Sequence, residues 1–168
     1  MSIASRTLVS SVNKALHFYS KRDSMYLGIG GFDPWTDEEY PPEPSYDNPT
    51  ISDIAVYRKV GFSDLVVPDP NGSIVYKDGT QWEVVTEGNA KTEGAKWVYL
   101  GAVFVDTDLP LLSYRKIGLY VDLVTTSTED IALPEQVTSQ GDLELIMHTK
   151  KVDRYSYQKD VSTFIVQF

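Results

Sequence analysis

The residues of this chain whose types and spacing could do chemistry fall in one stretch, MYLGIGGFDPWTDEEYPPEP, residues 25 to 44. Glycines 28, 30 and 31 suggest a phosphate cradle, and Asp37, Glu38, Glu39 and Glu43 suggest acid–base work on a glycoside. A cradle needs several backbone N–H groups converging on one point, usually at the start of a helix. Here Gly31 leads into Phe32-Asp33-Pro34-Trp35, with no G-K-[ST] and no helix start. A bent strand with close backbone approach accounts for these glycines better. Glycoside hydrolysis needs two carboxyl groups facing each other across a cleft, one with a raised pKa. Three consecutive acids splay apart instead, and a solvated acidic loop is the favoured reading.

The remaining chemistry is sparse. His17 and His148 are the two histidines, and there is no cysteine. Neither histidine has a second ligand at zinc-binding spacing, and no G-x-S-x-G elbow accompanies them. No catalytic residue, metal or cofactor is expected, and the chain reads as something other than an enzyme. The aromatics are more informative. Tyr26, Phe32, Trp35, Tyr40 and Tyr46 gather around Pro41 and Pro42. Rings stiffened by prolines suit a protein interface. The same rings could instead cover the protein's own core, or stack on a sugar, and the sequence leaves these open.

These residues must be positioned by the elements around them. Residues 3 to 20 place Leu8, Val12, Ala15, Leu16 and Tyr19 on one helical stripe, with Ser2 or Ser5 as cap. MYLGIGG reads as a short strand. Prolines from Pro34 to Pro49 exclude regular helix or central strand there, because proline lacks the N–H and fixes φ. Thr50, three residues before Asp53, resembles a capping box and predicts a short helix over 50–61. From residue 62 the texture turns to β. Asp78-Gly79 marks a hairpin, EGNAKTEGA is a polar loop, and KWVYLGAVFVD, YRKIGLYVDLVTT, DLELIMHT and VSTFIVQF are strands, the last two separated by the charged turn KKVDRYSYQKD. VSTFIVQF, ending in Phe168, is expected to be tied into a sheet.

The predicted class is therefore α+β, mainly β: an antiparallel sandwich-like core with an N-terminal helix, a short second helix and an irregular proline-rich arm. At 168 residues a single domain is the simplest expectation, with helix over 1–22, acidic aromatic arm over 23–49, short helix over 50–61 and β core over 62–168. Net charge is −9, and eight carboxylates lie between Arg22 and Arg58 with no Lys or Arg among them. Such a field repels phosphate backbones, so a nucleic-acid partner is not expected. No apolar run is long enough for a membrane helix, and no signal peptide is evident, so no membrane partner is expected and synthesis is placed in the cytoplasm.

Three segments, in order, resemble the baseplate wedge subunit family of T-even-type contractile-tailed phages, as a short relative of its dimeric wedge protein. YLGIGGFDPWTDEEYPPEP resembles the family's strand, glycine, Pro-Trp and acidic run closing in Pro-Pro. Gly31-Phe32 stand where the family usually has a basic residue. LLSYRKIGLYVDLV is similar to an aromatic-Arg-x-Ile strand through Tyr114, Arg115, Ile117 and Gly118. GDLELIMHTKKVDRYSYQKDVSTFIVQF resembles the closing strand pair. This resemblance implies a non-catalytic structural virion protein of the tail baseplate, made in the bacterial host and working by assembly. Its implied partners are a second copy of itself and other wedge or tail proteins, and the long insertions of the T-even member have no room here. A neck or tail-terminator protein, or a carbohydrate-binding module with Trp35 as platform, stand as alternatives. The interface residues expected are Tyr26, Phe32, Trp35, Tyr40, Pro41, Pro42 and Tyr46.

Overall fold

A computed structural model of the chain describes residues 2–47, 49–105, 112–155 and 158–168. The protein is mainly β, as the sequence predicts, with two helices of which only the N-terminal one lies where it is expected, and among the described residues every strand register is antiparallel. The chain divides into two compact units. The first holds residues 1–22, 62–101 and 163–168, and the second holds 23–61 and 102–162.

In the first unit, α1 (Leu8–Ser20) begins at Thr7, whose Oγ1 accepts from the N–H of Ser10 at 3.2 Å. The predicted caps Ser2 and Ser5 lie outside it, because the residues before Thr7 are not helical. Ser11, Val12, Ala15 and Phe18 form its buried stripe. That stripe is rotated from the predicted one: Leu8 is exposed, while Phe18 goes inward. Strands β3 (Phe62–Pro68), β4 (Ile74–Val75), β5 (Gln81–Val85), β6 (Trp97–Phe104) and β12 (Asp160–Gln167) form a sheet in the order β12-β6-β3-β5-β4. The Asp78-Gly79 hairpin joins β4 to β5. Gly79 takes φ 85°, and the Asp78 carboxylate accepts from both the N–H and the hydroxyl of Thr80. EGNAKTEGA, read as a loop, contains a short helix, α2 (Ala90–Glu93), stopped by Gly94 at φ 67°. A left-handed glycine after a helical turn is a C-terminal signal that the polar composition hid. The final strand is tied in as expected: the Phe168 N–H donates to the Lys96 carbonyl at 3.0 Å, and its ring sits 5.0 Å from that of Phe18.

The second unit is built on a sheet of β1 (Tyr26–Gly30), β2 (Val56–Lys59), β7 (Ser113–Val121), β9 (Ile131–Ala132) and β11 (Asp142–Asp153), in the order β11-β7-β1-β2-β9. A ribbon of β8 (Val124–Thr125) and β10 (Val137–Ser139) completes it. Gly28 of β1 pairs directly with Gly118 of β7. A Cβ on Gly28 would lie 2.9 Å from the Tyr120 ring, and one on Gly118 would lie 2.9 Å from both Ile51 and Leu143. The two glycines are thus a floor on which larger side chains rest. Tyr57 and Tyr120 meet there edge-on, at 5.4 Å and 77°, in a cluster with Tyr26, Leu123 and Ala132. This is the close approach that the GIGG sequence predicts.

The helix predicted over 50–61 is not formed. Residues 56–59 are strand β2, paired with β1 from Tyr26↔Lys59 to Ile29↔Val56. The reason is that Asp53 caps something else: its carboxylate accepts from Gly31 N–H at 3.1 Å and Phe32 N–H at 2.8 Å. Val56 and Tyr57 then find a sheet edge to join, which a β-branched and an aromatic residue favour. At the other side of the unit, β11 continues through the predicted charged turn as far as Asp153. Ser156 and Tyr157 of that turn, and Asn48 of the proline-rich stretch, lie outside the described residues.

Gly28→Ala should cost roughly 1–3 kcal/mol, the usual penalty for overpacking a filled site. The measurement is a lowered urea midpoint at unchanged slope, whereas Gly79→Ala, where a Cβ meets nothing within 4 Å, should lose only what its φ of 85° demands.

Candidate assembly surface

Adjacent strands β1 and β2 could be joined by a two-residue turn, yet residues 31–55 lie between them, with no helix or strand among the described ones. Loops this long inside a compact unit are usually functional. The Ala55 N–H closes the base on the Ile29 carbonyl at 2.8 Å. From there the segment forms a strap, fastened to β7 and β11 of its own unit.

The main fastening is Arg115, in β7 and only 4% exposed. A charge placed there must be paired and hydrogen-bonded, since leaving it bare costs several kcal/mol. Its Nε donates to both oxygens of Glu38 at 3.0 and 2.9 Å, and Nη2 donates to Glu38 Oε1 at 2.7 Å. Nη1 donates to the Phe32 carbonyl at 3.0 Å. This hydrogen-bonding to Arg115 holds the Glu38 carboxyl below its usual range. Trp35 Nε1 donates to the Thr149 carbonyl at 2.8 Å, and its ring lies 4.8 Å from the His148 imidazole. Lys116 Nζ sits 5.4 Å from the centre of the same ring. His148 Nδ1 donates to the Pro42 carbonyl at 2.7 Å, and Lys150 pairs with Glu39. Asp53 fixes the first turn of the strap. Burial pushes its carboxyl up, but the N–H groups of Phe32 and Gly31 and the nearby Lys116 more than offset that, and it ends below its usual range.

The predicted interface residues therefore separate into three sets. Tyr26 is core, 6% exposed in the tyrosine cluster. Trp35 is half-buried and spent on holding the strap, with its N–H occupied. Tyr40 and Tyr46 are turned outward, 81% and 97% exposed, with Pro42 exposed between them, Pro41 half-buried and Phe32 partly exposed. The acids separate too. Glu38, Glu39 and Asp53 are engaged as above, and Asp37 accepts from the N–H groups of Glu39 and Tyr40, a local turn. Among the described residues no three acidic, histidine or cysteine side chains come together as a metal site. Nor is any helix long and apolar enough to cross a membrane.

Arg115 was not among the interface candidates, although a signal for it existed. An arginine inside the apolar strand SYRKIGLYV must find an anion, and the carboxylate-rich interval lacking Lys and Arg is the obvious source. Glu38→Gln should keep the sheet intact but loosen the strap, read as faster protease cleavage within residues 32–47 and a red-shifted Trp35 emission. A depressed carboxyl contributes stability above its unfolded pKa and loses it as pH falls through the folded one. Strap attachment in the parent protein should therefore persist at neutral pH and fail in acid, below about pH 4.3, and Glu38→Gln should flatten that dependence.

Comparison with known proteins leads to the same part of biology. Residues 3–168 match the family model described as "Baseplate wedge 3 tail fiber network component". Among curated proteins, "Virion protein 3" of Enterococcus phage phiEF24C is 31% identical over 154 residues, covering 88% of this chain and 85% of that protein.

Proposed function

The chain belongs to the baseplate wedge 3 tail fiber network component family, and on that premise we propose that it is a wedge subunit of a contractile-tail baseplate that works by docking, through its strap, onto neighbouring tail proteins. Family membership makes it a structural component of the phage virion tail. The finer role rests on one observation: a long strap held rigid at Arg115 and Trp35 while Tyr40, Pro42 and Tyr46 face solvent. Fastening the strap beforehand lowers the ordering cost that binding would otherwise incur. Exposed tyrosines then supply contact area with few torsions to freeze. A homodimer, assembled late in infection, is part of the same proposal, and catalysis is not.

Nothing in the site favours the sugar-binding alternative. Trp35, the ring it relies on, is engaged by His148 and Lys116 and donates to a backbone carbonyl. The neck or terminator alternative keeps no specific support beside the family match.

The test is a tagged copy expressed during infection. Baseplate polypeptides should co-purify with it, and the tag should be found in purified virions. Tyr40→Ala combined with Tyr46→Ala should change stability by no more than about 0.5 kcal/mol, as surface positions do, yet cut co-purification strongly. Trp35→Ala should fold with its sheets intact and lose co-purification through a loosened strap. Equal recovery of baseplate proteins by the parent chain and the double tyrosine variant would overturn the docking role of the strap.

A further inference from the structure

The outward part of the strap reads Tyr40-Pro41-Pro42-Glu43-Pro44-Ser45-Tyr46-Asp47. Pro41 and Pro44 stand in P-x-x-P spacing, and the prolines restrict φ to values suited to an extended polyproline-like course. Segments of that kind dock on aromatic-lined surfaces. Such a surface exists in this same chain, in its first unit. The pairings Asp64↔Tyr99, Val66↔Trp97 and Pro68↔Trp82 place Tyr99, Trp97 and Trp82 on one face of the sheet, opposite the face of Val98 and Leu100. Trp82 and Trp97 meet at 5.6 Å, Phe62 and Tyr99 at 5.3 Å, and Tyr76 turns its edge to Tyr99 at 6.5 Å. All five rings are half-buried, so each keeps some surface for a partner. Two lysines flank them: Lys96 Nζ lies 5.0 Å from the Trp97 ring, and Lys77 Nζ lies 5.3 Å from the Tyr76 ring.

Charge argues for the occupant. Of 15 basic and 24 acidic residues, seven and six lie in the first unit, leaving eight and eighteen in the second. The first unit is thus net +1 and the second net −10. Two copies meeting second unit to second unit would repel, whereas a strap meeting a first unit brings Glu43 and Asp47 towards Lys77 and Lys96.

We propose that the strap of one copy, residues 40–47, docks on the aromatic, lysine-flanked sheet face of a second copy formed by Phe62, Tyr76, Trp82, Trp97 and Tyr99. This deepens the self-association part of the function proposed above and rests on it. The contact is head-to-tail in character: strap and face are different surfaces, so the pair can close as a twofold dimer using both contacts or propagate around a ring.

The experiment is sedimentation velocity on the full chain over a concentration series, at low and high salt. The parent protein should self-associate, with the affinity falling as salt rises. The variant Lys77→Glu/Lys96→Glu, and separately Glu43→Lys/Asp47→Lys, should each weaken self-association at least tenfold while keeping the parent melting temperature. Mixing the two variants should restore association, because a lysine-bearing strap then meets a glutamate-bearing face. A parent chain that stays monomeric, variants that associate like the parent, or a mixture that fails to recover would each overturn the proposal. If the lysine variant melts early, Lys77→Gln/Lys96→Gln replaces it, and if the strap variant does, Glu43→Gln/Asp47→Asn replaces it, each with the same tenfold criterion. A monomer that still co-purifies with baseplate proteins would sink this contact and leave the wider assembly role standing.

Discussion

A guanidinium at 4% exposure cannot be left without an anion, and much of the second unit follows from satisfying Arg115. Its five donors form a planar fork, and Glu38 and the Phe32 carbonyl fill most of it. For Glu38 to arrive there, the chain leaving β1 must turn at Gly31, where φ is +79° and a Cβ would press into Lys116. It must then be stopped from swinging away, which Trp35 does from β11 and Asp53 does from the far end of the loop. The strap is irregular in backbone form yet fixed in position, because its fastenings are directional and charged rather than a diffuse apolar contact.

Most of the fold was legible because its signals are local. Asp78-Gly79 dictates a turn by backbone sterics alone, and the β-rich runs after residue 62 became strands, although YRKIGLYVDLVTT breaks at Asp122 into β7 and β8 and β11 runs on to Asp153. Failure came where a residue had two possible partners. Thr50 and Asp53 have the spacing of a capping box, and nothing nearby in sequence reveals that Gly31 and Phe32, more than twenty residues away, hold the better claim on the Asp53 carboxylate. The stripe of α1 was misjudged by a fraction of a turn, because Leu8 and Phe18 are equally apolar and only the packed neighbour selects between them.

The candidate surface was legible in location but not in layout. Tyrosines and prolines in an acidic run identified the strap, and three segments in order identified the family. Composition could not say which rings face out, since Trp35 and Tyr46 carry the same kind of signal. The difference is made by Thr149 and His148, which lie over a hundred residues further along the chain. The acidity was also misleading as a plain field: Glu38, Glu39 and Asp53 are partly compensated by Arg115, Lys150 and Lys116 of their own unit.

The base of the strap is closed by the Ala55 N–H on the Ile29 carbonyl, with the Asp53 carboxylate clasping Gly31 and Phe32 beside it. Closing a loop costs only about 0.6 kcal/mol more for each doubling of its length. The sheet is therefore nearly indifferent to what is carried between Tyr40 and Asp47, provided Glu38 on one side and Asp53 on the other survive. In evolutionary terms the strap is a cassette. A tail that acquires a different neighbour can be refitted by replacing that one stretch, while the scaffold beneath it stays as it is.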